Sequence, residues 1–194
     1  SSSSDLELTS DADENREQAV GVRFPRVDVP QGSPIIHALI QFKSHEDQSG
    51  QVEITLAGEK QDNASLFREI IGNVTTRQRT DTSVQWKPGD WHTGDAGESQ
   101  QTPNLKSIVQ EIIDRRSWWS NNAMAFIVES DDFPNHRTAK NDAADGPVLT
   151  VEYITGEEYR YVDRVVDENP PLCNIQLDEA NATYYKGIAE DMRG

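Results

Sequence analysis

The strongest constraint on the fold of this chain is a repeated alternation of apolar and polar residues in short segments separated by turns. Successive side chains of a β-strand point to opposite faces, so a period of two is typical of strands with one buried face. A strand and a turn about every ten residues are typical of β-sandwiches. The alternating or apolar segments are residues 5–8, 20–24, 35–42, 52–56, 123–129 and 147–153. The sequence therefore predicts an all-β sandwich.

Two segments break this pattern with apolar residues at helical spacing. The first covers residues 66–71, and the second covers residues 105–113. For the second, we expect Thr102 to cap the helix and Pro103 to occupy its first position. A helix of about three turns in such a fold is expected to close one open end of the core.

The last part of the chain, residues 154–194, differs in composition and pattern from the body at residues 1–153. It is acidic, contains Pro170-Pro171, and continues into an alternating strand at residues 172–178. The apolar face of this strand is formed by Cys173, Ile175 and Leu177. An isolated strand cannot satisfy its own backbone, so it must dock. It can add to its own body as an edge strand, or to a neighbouring copy by β-augmentation, and a stiff proline spacer favours the longer reach.

Charge and composition exclude some partner classes. The formal net charge is −16 at pH 7, whereas nucleic acids and anionic membrane surfaces are bound through Lys and Arg. No segment approaches the ~18 consecutive apolar residues that indicate a membrane span. The only cysteine is Cys173, so no intrachain disulfide can form. The serine-rich start is expected to be the end left by removal of a signal peptide, which predicts an extracellular protein.

Three Asn-X-Ser/Thr sequons agree with that location. They begin at Asn63, Asn73 and Asn181. Such sequons carry glycans only where the source cell glycosylates secreted proteins, and they also arise by chance in a chain rich in Asn, Ser and Thr.

No catalytic pattern is present in the sequence. The four histidines, His37, His45, His92 and His136, are scattered and lack the spacing of a metal-binding pair. There is no G-x-S-x-G elbow, P-loop or glycine-rich dinucleotide turn. Acidic residues are abundant, but none lies in an apolar setting that would raise its pKa for glycoside hydrolysis. We therefore expect no enzymatic activity.

Acidic residues in the predicted loops make calcium the expected cofactor, since Ca²⁺ takes roughly six to eight oxygen ligands. A sandwich brings its first strand near the loop that precedes its last strand, and both carry carboxylates. A second group lies in the loop after the third strand, near Glu59 and Asp62. The candidate ligands are Asp5, Glu7, Asp142 and Asp145 in the first group and Glu46 and Asp47 in the second. The alternative is that these acids are solvated surface residues.

Tryptophans are the candidate ligand-binding side chains, because sugar rings stack on exposed aromatic faces. Trp86 alternates with Val84 and fits a core strand. Trp91 follows Pro88-Gly89 and is the best candidate for exposure. Of the adjacent Trp118 and Trp119, one is expected to pack under the helix while the other points outward, and Trp118 is taken as the second ligand candidate. Core packing is the alternative for each of them.

The order of residues in the body resembles a family of extracellular jelly-roll modules, the DNRLRE-type and related carbohydrate-binding-module domains of secreted proteins. The resemblance covers most of residues 3–153. It rests on Val20-Gly21-Val22-Arg23-Phe24, Val29-Pro30-Gln31-Gly32, Asp62-Asn63-Ala64, Gln101-Thr102-Pro103, Gln110-Glu111-Ile112 and Pro147-Val148-Leu149-Thr150-Val151-Glu152-Tyr153, among other stretches. It implies a jelly roll, an extracellular location and no catalysis, and loosely implies glycan binding. The segment after Tyr153 has no counterpart in it.

Two functions remain open from the sequence. The first is a non-catalytic extracellular structural subunit, which self-assembles head to tail into a filament by donating residues 172–178 to a neighbouring sheet. The second is a carbohydrate-binding module for adhesion or attachment to a polysaccharide matrix, using Trp91 and nearby loops. Neither involves nucleic acid or insertion into a membrane.

Overall fold

The computed structural model describes residues 5–11, 16–17, 19–68, 70–130, 135–154 and 182–188. These residues form mostly antiparallel β-structure, which confirms the predicted all-β class. The strands are β1 (Asp5–Glu7), β2 (Ser10–Asp11), β3 (Arg16–Glu17), β4 (Ala19–Val27), β5 (Ile35–Gln41), β6 (Ile54–Glu59), β7 (Arg79–Trp86), β8 (Asn122–Glu129), β9 (Thr138–Lys140), β10 (Val148–Ile154) and β11 (Ala182–Ile188). The described residues also contain the helix α1 (Lys106–Ile113) and a short 3₁₀ turn at Glu98–Gln100.

The larger sheet has four antiparallel strands in the order β4-β8-β6-β7. One apolar row crosses all four, because Val20 lies opposite Val128, Val128 opposite Leu56, and Leu56 opposite Val84. Val128 and Leu56 are fully buried, and Val84 packs against the core at the sheet edge. The period of two in the sequence therefore directs one face of this sheet to the core.

A second sheet has three antiparallel strands in the order β11-β10-β5. Leu149 and Val151 of β10 lie opposite Ile40 and Ala38 of β5, and all four side chains are fully buried. Two short pairs, β1 with β9 and β2 with β3, complete the sheets of the described residues.

Both larger sheets contribute to one hydrophobic cluster, an arrangement consistent with a β-sandwich. Aromatic rings fill its centre: Phe42 stacks on Trp86 with ring centroids 5.7 Å apart, and Phe24 meets Phe126 edge to face at 6.0 Å. These are favoured geometries for aromatic pairs. The alternation in the sequence thus gives one main core that is shared by strands far apart in the chain.

Helix α1 confirms the predicted second helix, and its residues Ile108, Val109, Ile112 and Ile113 are buried in the core. Its predicted start is wrong, because the helix begins at Lys106 and leaves Thr102 and Pro103 outside it. The Thr102 hydroxyl instead accepts the backbone N–H of Ile40 in β5 at 2.9 Å. The Thr102 side chain therefore satisfies a backbone N–H group of the neighbouring strand and not one of the helix.

The predicted helix at residues 66–71 is wrong, since the described residues of this segment form turns and loop. Arg77 gives the physical reason. Its guanidinium donates to the backbone carbonyl oxygens of Ser65 at 2.8 Å and Leu66 at 2.9 Å, and to that of Asn73 at 2.9 Å. A helix would use such carbonyls internally, so the arginine stabilises a loop instead.

This loop packs on the four-stranded sheet through Phe67. The Phe67 ring lies beside Ala123 and Ala125 of β8, with the Arg77 guanidinium 3.9 Å from the ring centroid. A Cβ at Gly21 of β4 would lie 2.2 Å from the ring, so only glycine leaves room for it. The apolar residues expected on the buried face of a helix are exposed: Leu66, Ile70 and Ile71.

Residues 101–111 cover the outer edge of β5. Three of the backbone N–H groups of β5 donate to side chains of this segment: Ile35 to Gln110 Oε1 (2.8 Å), Ala38 to Asn104 Oδ1 (3.1 Å) and Ile40 to Thr102 Oγ1 (2.9 Å). Backbone N–H groups of Thr102 and Leu105 donate back to β5 at 3.0 and 2.8 Å. An uncovered strand edge is a template for another strand, so this segment blocks strand addition at β5.

The same segment reaches the edge of β7 through Glu111. The Glu111 carboxylate accepts the backbone N–H groups of Asp81 (2.8 Å) and Thr82 (3.0 Å) and the Thr82 hydroxyl (2.9 Å). Burial alone raises the pKa of Glu111, but these three hydrogen bonds together outweigh it and leave the pKa below its ordinary value. The ionised form is therefore the one that holds β7.

Arg137 is fully buried and joins three stretches of chain. Its guanidinium donates to the backbone carbonyl oxygens of Gly89 (3.1 Å), His136 (2.7 Å) and Gly50 (2.6 Å). Burial lowers the pKa of Arg137 and the charge of Asp90 opposes this, while a guanidinium stays protonated in proteins. Backbone dipoles thus stabilise a buried charge and hold the loops in place.

We predict that Glu111→Gln lowers the free energy of unfolding at neutral pH by about 1–2 kcal/mol, because charge-assisted hydrogen bonds become neutral ones. A carboxylate whose pKa is depressed in the folded state stabilises the fold above its unfolded pKa of about 4.3, and this stability is lost as the pH falls through the folded pKa. The difference between wild type and variant should therefore shrink at about pH 3. Chemical denaturation at both pH values measures it.

Glu98→Gln, at an exposed acid in the 3₁₀ turn, is the matched control and should change little at either pH. A Glu111→Gln deficit that is as large at acidic as at neutral pH would contradict the assignment to the carboxylate charge.

Candidate functional site

The edge of β10 is occupied by a strand from the end of the chain. β10 pairs with β11 along its whole length, from Val148 opposite Ile188 to Ile154 opposite Ala182. Residues 155–181 separate the two strands in sequence. Strand β5 on the other side of β10 is covered by residues 101–111, as described above. Within this sheet, the side of β10 that faces β11 is therefore the position where a strand from elsewhere is received.

The predicted boundary between body and arm falls after Tyr153, one residue before β10 ends at Ile154. The predicted donor strand at residues 172–178, with Cys173, Ile175 and Leu177, lies outside the described residues. The strand that the structure does place, β11, was missed. A signal was present, because Thr183, Tyr184 and Tyr185 have high strand propensity.

Trp91 is a core residue, so its expected exposure is wrong. It is 1% exposed, its indole N–H donates to the carbonyl oxygen of Ser99 at 2.9 Å, and its ring lies 6.1 Å from that of Trp86. The physical reason is an antiparallel bridge with Gln48, in which each residue donates its N–H to the other's carbonyl oxygen. The loop residues Pro88-Gly89 that precede Trp91 in the sequence give no sign of this distant partner.

Of the adjacent pair, Trp118 is buried and Trp119 is 73% exposed, which confirms that one ring packs inside and the other points outward. The choice of Trp118 as the ligand candidate is corrected. Its indole N–H donates to the carbonyl oxygen of Val29 at 2.9 Å, and a buried ring has no free face for a sugar. Trp119 is the tryptophan with an accessible face in the described residues.

The backbone around Trp119 is unusual. Asn121 and Arg26 both have positive φ angles, 72° and 50°, and they are the only such non-glycine residues in the part of the chain that the structure describes. The backbone N–H of Asn121 donates to the carbonyl oxygen of Val27 at 2.9 Å, and the Ser120 hydroxyl donates to the Asp28 carboxylate. The end of β4 and the loop carrying Trp119 thus form one surface, which we call the Trp119 surface (residues 26–28 and 115–121).

The first predicted group of calcium ligands is brought together in part. Strand β1 pairs with β9, placing Asp5 opposite Lys140, next to the 142–145 loop. Asp145 forms ion pairs with Lys43 (2.9 Å) and Lys140 (3.0 Å). The hydrogen bond from Lys43, followed by that from Lys140, lowers the pKa of Asp145. Asp142 Oδ1 accepts the backbone N–H groups of residues 144 and 145, both at 2.9 Å.

In the second predicted group, Asp47 accepts the backbone N–H (2.7 Å) and hydroxyl (3.0 Å) of Thr93. The backbone hydrogen bond is the largest cause of the lowered pKa of Asp47. Glu46 accepts from Gln48 at 3.0 Å and lies 3.9 Å from His136. Glu59 and Asp62, expected nearby, instead pair with arginines, Arg77 at 2.8 Å and Arg115 at 2.6 Å respectively.

Across the described residues, no group of three or more His, Cys, Asp or Glu side chains is arranged to hold a metal ion. Calcium binding stays a prediction. If Ca²⁺ binds only the folded state, it raises stability by mass action. We predict that exchange from calcium into a chelator lowers the Tm by several degrees, as seen by thermal unfolding. An unchanged Tm contradicts the calcium prediction, and a magnesium sample controls for ionic strength.

The sequons at Asn63 and Asn73 lie in the loop that packs on the larger sheet. Asn63 Oδ1 accepts the backbone N–H of Ala123 at 2.8 Å, and Asn73 Oδ1 accepts that of Arg68 at 2.9 Å. Both side chains thus help to shape this loop. Asn181 lies outside the described residues, and glycosylation at all three sites stays a prediction.

Comparison with protein-family models, with curated proteins and with solved structures found no match for this chain. Among the described residues, no helix is both long and apolar enough to span a membrane.

Proposed function

We propose that this protein is a non-catalytic extracellular structural subunit that assembles head to tail, each copy receiving the C-terminal strand of the next along β10. The observation that supports the proposal most is the pairing of β11 with the whole length of β10. The jelly-roll connectivity implied by the resemblance is part of this proposal. So is the donor, which we assign to β11 rather than to residues 172–178.

One donor strand and one acceptor edge per chain define a heterologous contact, which propagates when it does not close into a ring. The pairing between β10 and β11 is chemically the same whether β11 comes from its own chain or from a neighbour. The choice then depends on the segment between them, residues 155–181. A stiff element such as Pro170-Pro171 disfavours return to the same chain and favours reach to another.

We predict covalent dimers between two single-cysteine variants, Glu152→Cys and Tyr184→Cys, each carrying Cys173→Ser and refolded together before oxidation. Residues 152 and 184 are direct partners across β10 and β11, and the Cα atoms of such partners lie within disulfide range. A bond between the two chains therefore requires donation of β11 to another copy. Non-reducing electrophoresis measures the dimer.

Each variant oxidised alone controls for random pairing, and Glu152→Cys with Lys186→Cys controls for register. If mixed variants stay monomeric while the double variant Glu152→Cys/Tyr184→Cys closes within one chain, β11 belongs to its own body and the proposal fails. Negative-stain electron microscopy of the intact protein beside a chain ending at Tyr153 gives an independent readout, with filaments expected only in the intact sample.

A second candidate function, polysaccharide binding, is favoured by one observation, the exposure of the Trp119 ring. An exposed indole keeps apolar area in contact with water, so covering it with the apolar face of a sugar ring is favourable. Its tryptophan neighbour Trp118 is anchored in the core and fixes the loop beneath it. The ring is therefore presented on a rigid support, which lowers the entropic cost of binding.

For this candidate we predict that Trp119→Ala removes retention on a polysaccharide affinity gel and leaves the Tm unchanged, because surface substitutions alter stability by only about 0.5 kcal/mol. Ile71→Ala, which removes another exposed apolar side chain, is the matched control and should be retained like wild type. Equal retention of Trp119→Ala and wild type on every gel that binds the protein would exclude this surface.

A further inference from the structure

We infer that the Trp119 surface selects polysaccharides that carry carboxylates, with Arg26 and Arg116 as the groups that bind the anion. The inference rests on the second candidate function above and names its ligand class. It is carried by three observations on this surface: the backbone conformation of Arg26, the lack of partners among the described residues for two guanidinium groups, and the exposed Trp119 ring.

Arg26 adopts a backbone conformation that favours glycine. Its φ of 50° lies in the left-handed region, at the point where the register between β4 and β8 shifts between Phe24 and Val27. A non-glycine residue there carries local strain, and such strain is concentrated at functional sites. The backbone conformation therefore does not explain an arginine at this position, and the explanation must lie in its side chain.

Among the described residues, no contact of the Arg26 side chain explains it. It is exposed, and neither it nor the exposed Arg116 has a hydrogen bond or ion-pair partner for its guanidinium within the described ranges. The net charge of the chain is −16, so carboxylates that could pair with an arginine are abundant. Two arginines on this surface nevertheless have no such partner among the described residues, which leaves them available to bind an anion of a ligand.

The carboxylate of this surface, Asp28, and two beside it, Asp62 and Asp114, are already engaged by donors of the protein. Asp62 binds Arg115 at 2.6 Å, Asp114 accepts from Gln110 at 2.8 Å, and Asp28 accepts from Ser120. The remaining acidic charge of the chain is screened over a Debye length of ~8 Å at physiological ionic strength. Groups in direct contact with a ligand therefore determine which charge this surface prefers. Here those groups are guanidinium cations, so the preferred charge is negative.

Backbone hydrogen bonds hold the segments that carry both arginines next to the loop of Trp119. Arg26 precedes Val27, whose carbonyl oxygen is bound by Asn121 two residues after Trp119. Arg116 lies three residues before Trp119, in a turn closed by the Trp118 N–H to the Arg115 carbonyl oxygen at 3.0 Å. A guanidinium binds a carboxylate with two parallel hydrogen bonds, and an indole face accepts a pyranose ring. A polyuronate chain presents both features in every residue.

The test compares binding of the full-length protein to immobilised polygalacturonate and to its methyl ester, which has the same sugar rings without the charge. We expect wild type to bind polygalacturonate about tenfold more tightly, the gain typical of charge-assisted over neutral hydrogen bonds. Arg26→Gly and Arg116→Gln should each abolish most of this preference without weakening binding to the ester. Trp119→Ala should weaken binding to both polymers.

Arg68→Gln removes an exposed arginine from another loop and should behave like wild type. Thermal unfolding of Arg26→Gly separates binding from structure. Glycine adopts positive φ without strain, and its greater freedom in the unfolded chain offsets part of the gain, so the Tm should stay the same or rise while the preference falls.

Equal binding of wild type to both polymers overturns charge selection and leaves Trp119 as a neutral sugar site. A preference that Arg68→Gln lowers as much as Arg26→Gly also overturns it, because the effect is then one of overall charge. A lowered Tm of Arg26→Gly with an unchanged preference assigns Arg26 to the fold. If neither polymer binds the protein, and Trp119→Ala is retained like wild type on every gel, the second candidate function itself is overturned.

Discussion

Residues 101–111 satisfy the backbone at the edges of both larger sheets, and the rest of the structure depends on this coverage. Along β5 the partners are side chains of Thr102, Asn104 and Gln110. A buried N–H without a partner costs about 1–3 kcal/mol, so three such groups represent a large part of the ~5–15 kcal/mol that separates folded from unfolded domains. Because the β5 edge is occupied by side chains, β11 adds to this sheet on the opposite side of β10.

Period-two alternation predicted most strands, because burial of one face is a local pattern that packing then respects. Long-range polar contacts were not predictable in this way. Helical spacing predicted α1, but the expectation that Thr102 caps this helix was wrong. Thr102 binds β5, which lies far from it in the sequence. Arg77 likewise binds carbonyl oxygens that a helix at residues 66–71 would have needed. In each case a side chain binds a backbone that is distant in sequence.

The candidate sites show the same limit. Trp91 follows a loop, and its bridge to the distant Gln48 places it in the core. The sequence identified that one of Trp118 and Trp119 faces outward, but not which one, since two adjacent residues of a loop have no periodicity to distinguish them. Acidic composition predicted metal ligands, yet Asp145 lies between two lysines that satisfy its charge at close range. Composition gives the number of charges and leaves their pairing to the fold.

The pairing of β11 with β10 in one chain and the proposed donation of β11 to a neighbour are compatible, since both use the same register and the same hydrogen bonds. What differs is the entropy of the connection. Return to the same chain requires residues 155–181 to close a loop, at a cost that grows slowly with its length, whereas donation requires a neighbour at sufficient concentration. Because the contact energies cancel, protein concentration and the stiffness of this segment determine which form prevails.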